Sequence, residues 1–312
     1  MFLELFSIFD FPPILIPSQC ISLTNVICEV RTFFLIEQYS TGSKFILGIF
    51  IAFLLTMLIN YALKMIELSY VMRHKKPFYI HISFILRRLD SNKKSILKHQ
   101  FQFYNKLNSK QQRIFEHRVA SFIKDKFFIG REGLIVTEEM KVLISATAVM
   151  LTFGFRDYYI GLLNRIFIYP EEFYSLARNE YHKGEFNPKL KTLVLSWKDF
   201  IKGFESYKDN INLGIHEFAH AIHLNSMKER DISSTIFSDS YKELTDLITN
   251  EEELRKALIA SKYFRDYAYT NQFEFLAVII ETFIESPNEF KSQFPQVYNK
   301  TKQMLNFDFA GY

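Results

Sequence analysis

Residues 216–220 read His216-Glu217-Phe218-Ala219-His220. On a helix, side chains four apart lie one turn above each other on the same face. Two imidazoles so placed can hold one Zn²⁺ at about 2.0–2.1 Å each. Glu217 follows the first histidine directly, so it leans over the ion rather than binding it. There it can take a proton from the attacking water. The pattern predicts metal-assisted hydrolysis, most often of a peptide bond. Leu213, Ile215, Phe218, Ala219, Ala221 and Ile222 make the surrounding helix apolar nearly all round, which predicts burial. A buried His-Glu-His face is costly unless something satisfies it, and a metal does.

A hydrolytic zinc site takes a third protein ligand and keeps one position open for water. His223, Glu274 and Glu281 are the candidates. His223 lies seven residues beyond His216, about 10.5 Å along a helix axis, too far for both to reach one ion from an unbroken helix. No glycine turn follows His220 to bring it back, so His223 is expected to line the cleft or hydrogen-bond a ligand. Glu274 sits between Phe273 and Phe275 in a second apolar helix, where a carboxylate demands a partner. It is the favoured third ligand. Glu281, two turns along the same helix, is read as an acceptor that orients a ligand histidine, or as a surface ion pair.

The order of motifs around this core resembles the Mlc titration factor A family of zinc peptidases. Upstream stand Gln111, Phe115, Arg118-Val119 and Phe122-Ile123, then Thr137-Glu138-Glu139-Met140 and Ile168-Tyr169-Pro170-Glu171-Glu172-Phe173. Ser196-Trp197, Gly203, Asp209 and Asn212 lead into the His-Glu core; Phe273-Glu274-Phe275-Leu276-Ala277 and Glu285-Ser286-Pro287 follow it. The likeness covers about residues 95–305. It implies a gluzincin-type zincin site with peptidase, in particular aminopeptidase, activity. His216, His220 and Glu274 would be the Zn²⁺ ligands and Glu217 the catalytic base. It also implies Tyr267 as the donor to the oxyanion, with Tyr269 as the alternative. His223 departs from the family, which usually has an aspartate there. The apolar N-terminal region is foreign to its soluble members. One such member binds a glucose repressor, which leaves a transcriptional regulator as a candidate partner beside the peptide or protein substrate.

The elements that must position these residues follow from composition and pattern. The chain has 312 residues, 48% hydrophobic, with 34 phenylalanines. Residues 45–63 carry no charge over 19 positions, which as a helix spans about 28 Å, close to a bilayer core. Residues 64–130 hold 15 Lys/Arg against four Asp/Glu, whereas residues 1–43 hold only Arg31 as a basic residue. This bias predicts a single-pass inner-membrane protein with its catalytic part in the cytoplasm. The basic stretch suits anionic lipid head groups. It lacks nucleic-acid signatures, and with a net charge of +4 no nucleic-acid partner is expected. The catalytic motif lies about 150 residues past Leu63 and is flanked by Lys202, Lys208, Asp209, Lys228 and Glu229, which excludes an intramembrane protease. A regulatory binding protein with a structural zinc is the rival from another class; an intact Glu217 argues for catalysis.

Four segments result: an apolar N-terminal segment (1–43), a transmembrane helix (44–66), a basic connector (67–94) and a zinc metallopeptidase domain (95–312). Residues 1–17 carry Glu4, Asp10 and Pro12-Pro13 with no basic start, a poor signal peptide suited to the membrane interface or a short hairpin. Cys20 and Cys28 can pair if they face outward. Helices are expected from Ser109 to Phe122, from Thr137-Glu138-Glu139 through Leu151, near Asp209 to Asn225, and over 251–264, 271–285 and 288–306. Residues 166–169 and 192–195 read as strands, with a turn or hairpin end over 177–188. In zincins a strand beside the cleft pairs with the extended substrate, and 192–195 is expected to be that edge. The fold class is α+β, helix-dominated, with a small mixed sheet.

Overall fold

The computed structural model describes residues 40–81, 86–175, 179–205 and 210–312. The placement expected for residues 1–17, the pairing of Cys20 with Cys28, and Asp209 lie outside the described residues. The described chain falls into two units that divide between Lys64 and Met65. In the first, helix α1 (Thr41–His74) carries the apolar run and continues past the division. By length and composition this helix can cross a membrane, with a mean hydropathy of 2.3 over its best window.

The second unit is helix-dominated with a small mixed sheet. It opens with α2 (Ser91–Gln100), α3 (Gln102–Lys106) and α4 (Ser109–Asp125), then β1 (Phe127–Gly130) and α5 (Glu138–Leu151). β2 (Arg165–Tyr169), β3 (Phe173–Ser175), β4 (Glu180–His182), β5 (Gly184–Asn187) and β6 (Thr192–Ser196) follow. The rest is helical: α6 (Trp197–Glu205), α7 (Leu213–Lys228), α8 (Ile232–Asn250), α9 (Glu252–Ser261), a 3₁₀ turn at Asp266–Tyr269, α10 (Gln272–Glu285), α11 (Pro287–Gln293) and α12 (Pro295–Leu305).

Local chemistry sets these boundaries. Thr137 caps α5 by accepting from the Met140 amide at 3.2 Å. α4 is capped by Asn108 rather than Ser109, through a reciprocal capping box with Gln111, and it runs three residues beyond Phe122. α7 starts at Leu213 and extends past Asn225 to Lys228. The helix expected over 251–264 stops at Ser261, where Lys262 turns left-handed (φ 51°). The one expected over 288–306 is two, because Pro295 has no amide to continue α11 and instead starts α12.

The sheet runs β1-β2-β6-β5, parallel except for β5, which is antiparallel to β6. This corrects the expected substrate edge. Residues 192–195 sit inside the sheet, with Leu193 bonded in register to Ile166 on one side and Phe186 on the other. Its burial on both faces made it conspicuous in sequence, but burial marks the centre of a sheet, not its rim. The edge beside α7 is β5.

One core joins the sheet to α5, α7 and α10, with Phe115, Phe153, Phe218 and Phe283 fully buried in it. Arg118 is buried there too. Its guanidinium donates to the carbonyls of Thr152, Phe153, Phe155 and Ile80 at 2.8–3.2 Å and reaches His81 Nδ1 at 3.0 Å. It thus satisfies the carbonyls left open where α5 ends. The end of α1 belongs to the same unit: Val71 is buried, Glu67 pairs with Arg156, and Lys75 pairs with Asp239 and Glu243.

Burial, helped by Arg118 and then Lys110, pushes His81 down to about 3. The fold keeps this ring neutral, while in the unfolded chain it titrates near 6.5. As pH falls below about 6.5 the unfolded state takes up a proton that the fold refuses, so stability is lost progressively down to about 3. His81→Gln keeps an acceptor for Arg118 and removes the titration. Urea unfolding from pH 7 to 4 should therefore show a shallower loss in the variant; parallel curves would contradict the assignment.

Candidate active site

Asn212 starts α7 and locks it to its neighbours. Its side chain accepts from the Ile215 amide at 3.0 Å and donates to Gly203 O and Glu285 Oε1, each at 3.0 Å. Asn271 starts α10 in the same way, accepting from the Phe273 and Glu274 amides at 2.9 and 3.1 Å. Glu274 is thereby set in the first turn of α10, facing α7, which packs against it.

The structure brings His216, His220 and Glu274 to one point. His216 Nε2 lies 3.0 Å from Glu274 Oε2 and 3.1 Å from His220 Nε2, and His220 Nε2 lies 3.4 Å from the same oxygen. Donors around a tetrahedral ion with bonds of about 2.05 Å stand about 3.3 Å apart. The triangle therefore has the size that one small metal ion requires. The electrostatics agree. Burial opposes charge on His216, yet bonds to Glu274 and Glu281 raise it to about 9. Burial likewise opposes charge on Glu274, but His216 and His220 hold it well below the usual carboxylate range. The pocket favours positive charge at the centre of the triangle.

Glu281 is the acceptor behind His216, not a surface ion pair. Its side chain is almost wholly buried. Oε1 accepts from His216 Nδ1 at 2.8 Å, which leaves Nε2 facing Glu274 and His220. Arg265 donates to both of its oxygens, at 2.6 and 3.2 Å, and the Asn212 amide donates to Oε2 at 2.7 Å. Arg265 also donates to Asn210 O at 2.7 Å. Sequence reasoning missed Arg265, because a lone arginine before a 3₁₀ turn carries no period to betray it.

Two adjoining cavities of about 550 and 300 Å³ share His182, Gly184, His216, Glu217 and Tyr267 on their walls. Glu217 is buried but opens into both. Tyr267 lines both as well, its ring 5.9 Å from that of His216. Tyr269 points elsewhere, donating to Leu258 O at 2.7 Å. His223 neither lines these cavities nor meets a ligand. It packs on Tyr241 (4.4 Å) and Phe273 (5.0 Å), its Nδ1 has no hydrogen-bond partner among the described residues, and burial holds it down to about 4. Seven residues of helix rise carry it past the site, as the spacing implied, but into an aromatic niche rather than the cleft.

Gly184 also went unnoticed. A Cβ there would lie 2.6 Å from Glu217 Oε1 and 2.7 Å from Leu213 Cδ1. Only a glycine lets the β5 backbone pass this close to the Glu217 carboxylate.

The comparisons agree with this geometry. A model of the glucose-regulated metallo-peptidase M90 family matches residues 83–305. An uncharacterized protein of Synechocystis sp. is 24% identical over 226 residues, 68% of this chain and 82% of its own. Proteins named Mlc titration factor A from Yersinia pestis and Yersinia pseudotuberculosis are 23% identical over 213 residues, 62% of this chain and 76% of theirs.

All three atoms that crowd position 184 (Oε1 and Cγ of Glu217 and Cδ1 of Leu213) belong to side chains rather than backbone, so Gly184→Ala should fold and retain metal while displacing the Glu217 side chain as a whole. Displacement on the scale of an ångström predicts a fall in kcat of about 10²-fold with unchanged metal content. Wild-type turnover in that variant would show that β5 does not set the position of Glu217.

Proposed function

We infer the function from a premise now in hand: the chain belongs to the glucose-regulated metallo-peptidase M90 family. It acts as a zinc-dependent peptidase, an aminopeptidase by its likeness to the Mlc titration factor A proteins. The observation that carries this reading is the donor triangle of His216, His220 and Glu274, with a carboxylate poised beside it and an open cleft in front. The donor set of two imidazoles and one carboxylate suits zinc. When bound, zinc supplies a Lewis acid and lowers the pKa of a coordinated water from 15.7 to about 7.

The protein's own groups do the rest. Glu217 accepts the proton of the attacking water and passes it to the leaving amine. Tyr267 donates from its phenol to the oxygen that becomes negative. Glu281 and Arg265 hold His216 in the tautomer and orientation that present Nε2. The free rim of β5 offers backbone donors and acceptors to an extended substrate segment lying along the cleft. The same reading takes α1 as a single inner-membrane span with the catalytic unit in the cytoplasm, supported by the length and apolar composition of the helix and by the excess of lysine and arginine after Leu63.

The name of the Yersinia relatives, Mlc titration factor A, favours a second reading, in which the cleft captures a transcriptional regulator without cutting it. Hydrolysis of aminoacyl chromogenic substrates, with and without a chelator, separates the two.

Glu217→Gln should keep stoichiometric zinc and lose activity by at least about 10²-fold, the scale of general-base catalysis. Glu274→Ala should lose zinc by elemental analysis. Full turnover in the first variant refutes the assigned base, and full zinc content in the second moves the ligand role elsewhere.

A further inference from the structure

A second cavity, of about 330 Å³, lies away from the active site, walled by the chain that follows α1, by one face of α4 and by the loop after α5. Four permanent cations line it: Lys110, Arg113, Arg118 and Arg156. His81, His117, Tyr79 and Tyr158 also line it, and among the described residues no carboxylate does. Residues 82–85 are Ile-Ser-Phe-Ile and add no charge. Glu67 and Asp157 lie outside the wall and pair with Arg156, which offsets the charge of that residue and leaves Lys110 and Arg113 as the cations without a carboxylate partner among the described residues.

The four cations play different parts. Arg118 spends its donors on backbone carbonyls and His81, and among the described residues no carboxylate accepts from it, although Asp157 acts on its charge through space. Lys110 and Arg113 stand one turn apart on the exposed face of α4, and no carboxylate pairs with either among the described residues. Their donors are available to an anion. Burial is the first cause of the low proton affinity of both histidines, and the Arg118 charge adds to it. A concave, donor-lined cavity of one sign concentrates anions. A guanidinium beside an ammonium suits a phosphoryl group, which accepts from both.

The position in the chain narrows the source. Tyr79, Ile80 and His81 of the wall come five to seven residues after α1 ends at His74, and Arg156 grips Glu67, only four residues past the end of the uncharged run at Leu63. We propose that this cavity binds a phosphoryl group, and that its source is the head group of an anionic phospholipid. The choice of source rests on the membrane reading of α1; the phosphoryl chemistry does not.

The experiment uses the full chain in neutral detergent. Its thermal midpoint is titrated with short-chain phosphatidylglycerol, with short-chain phosphatidylcholine, and with inorganic phosphate against chloride of equal ionic strength. Stabilisation by phosphatidylglycerol alone identifies the lipid source. Stabilisation by inorganic phosphate to the same extent identifies free phosphate and overturns the lipid assignment. Lys110→Glu with Arg113→Glu, both exposed and outside the catalytic cleft, should weaken the productive ligand about tenfold or more while leaving peptidase activity in place. Equal response to both lipids with none to phosphate, or a response that the double variant leaves unchanged, overturns the site. Flotation with pure phosphatidylcholine vesicles tests the anchor separately, because insertion of the apolar run needs no anionic lipid.

Discussion

A single carboxylate holds the active site together. Glu281 sits at almost zero exposure, a placement that costs several kcal/mol unless its charge is matched by well-directed donors. Those donors come from two segments: His216 and the Asn212 amide from the start of α7, and Arg265 from just before the 3₁₀ turn. Each needs Glu281, and Glu281 needs each. The arrangement therefore fixes the ring orientation of His216, the entry of α7 and the segment that leads into Tyr267 together. A shift in any one strands a buried charge in the others.

The same balance explains why the site selects a cation. His216 is raised and Glu274 lowered although both are buried, so the attraction between the groups exceeds the desolvation that opposes it. A divalent ion at the centre of the triangle satisfies both histidines and the carboxylate at once, at the separations the side chains already have. Little reorganisation is then needed on binding. The backbone of β5 passes close enough to Glu217 that the base has restricted freedom, and Gly184 is what permits it.

The sequence made the metal triangle legible because each part broke a local rule. Two histidines shared one face of an otherwise apolar helix, and Glu274 was an acid flanked by phenylalanines. The start of α5 was equally plain, since Thr137-Glu138-Glu139 is a capping signal. What escaped notice lacked any such conflict. Gly184 lies in a polar hairpin where a glycine looks ordinary, and its meaning depends on Glu217 arriving from 33 residues away. Arg265 is defined only by three-dimensional partners. Whether 192–195 is an edge or a centre depends on which strands flank it, which alternation along one strand cannot encode. The break at Phe294 was readable from Pro295.

Peptidase and capture readings share the cleft, so the physical difference between them rests on Glu217. An extended segment laid along β5 needs the strand's free donors and acceptors, whether it is a substrate or a captive. Capture asks nothing of Glu217. Yet this carboxylate is buried beside the His216 ring, in a cleft where a neutral side chain of similar size would avoid the desolvation penalty. A buried carboxylate lines the same cavity as the donor triangle and the Tyr267 ring, an arrangement suited to taking a proton from a water. Binding alone gives no return on that arrangement; hydrolysis does.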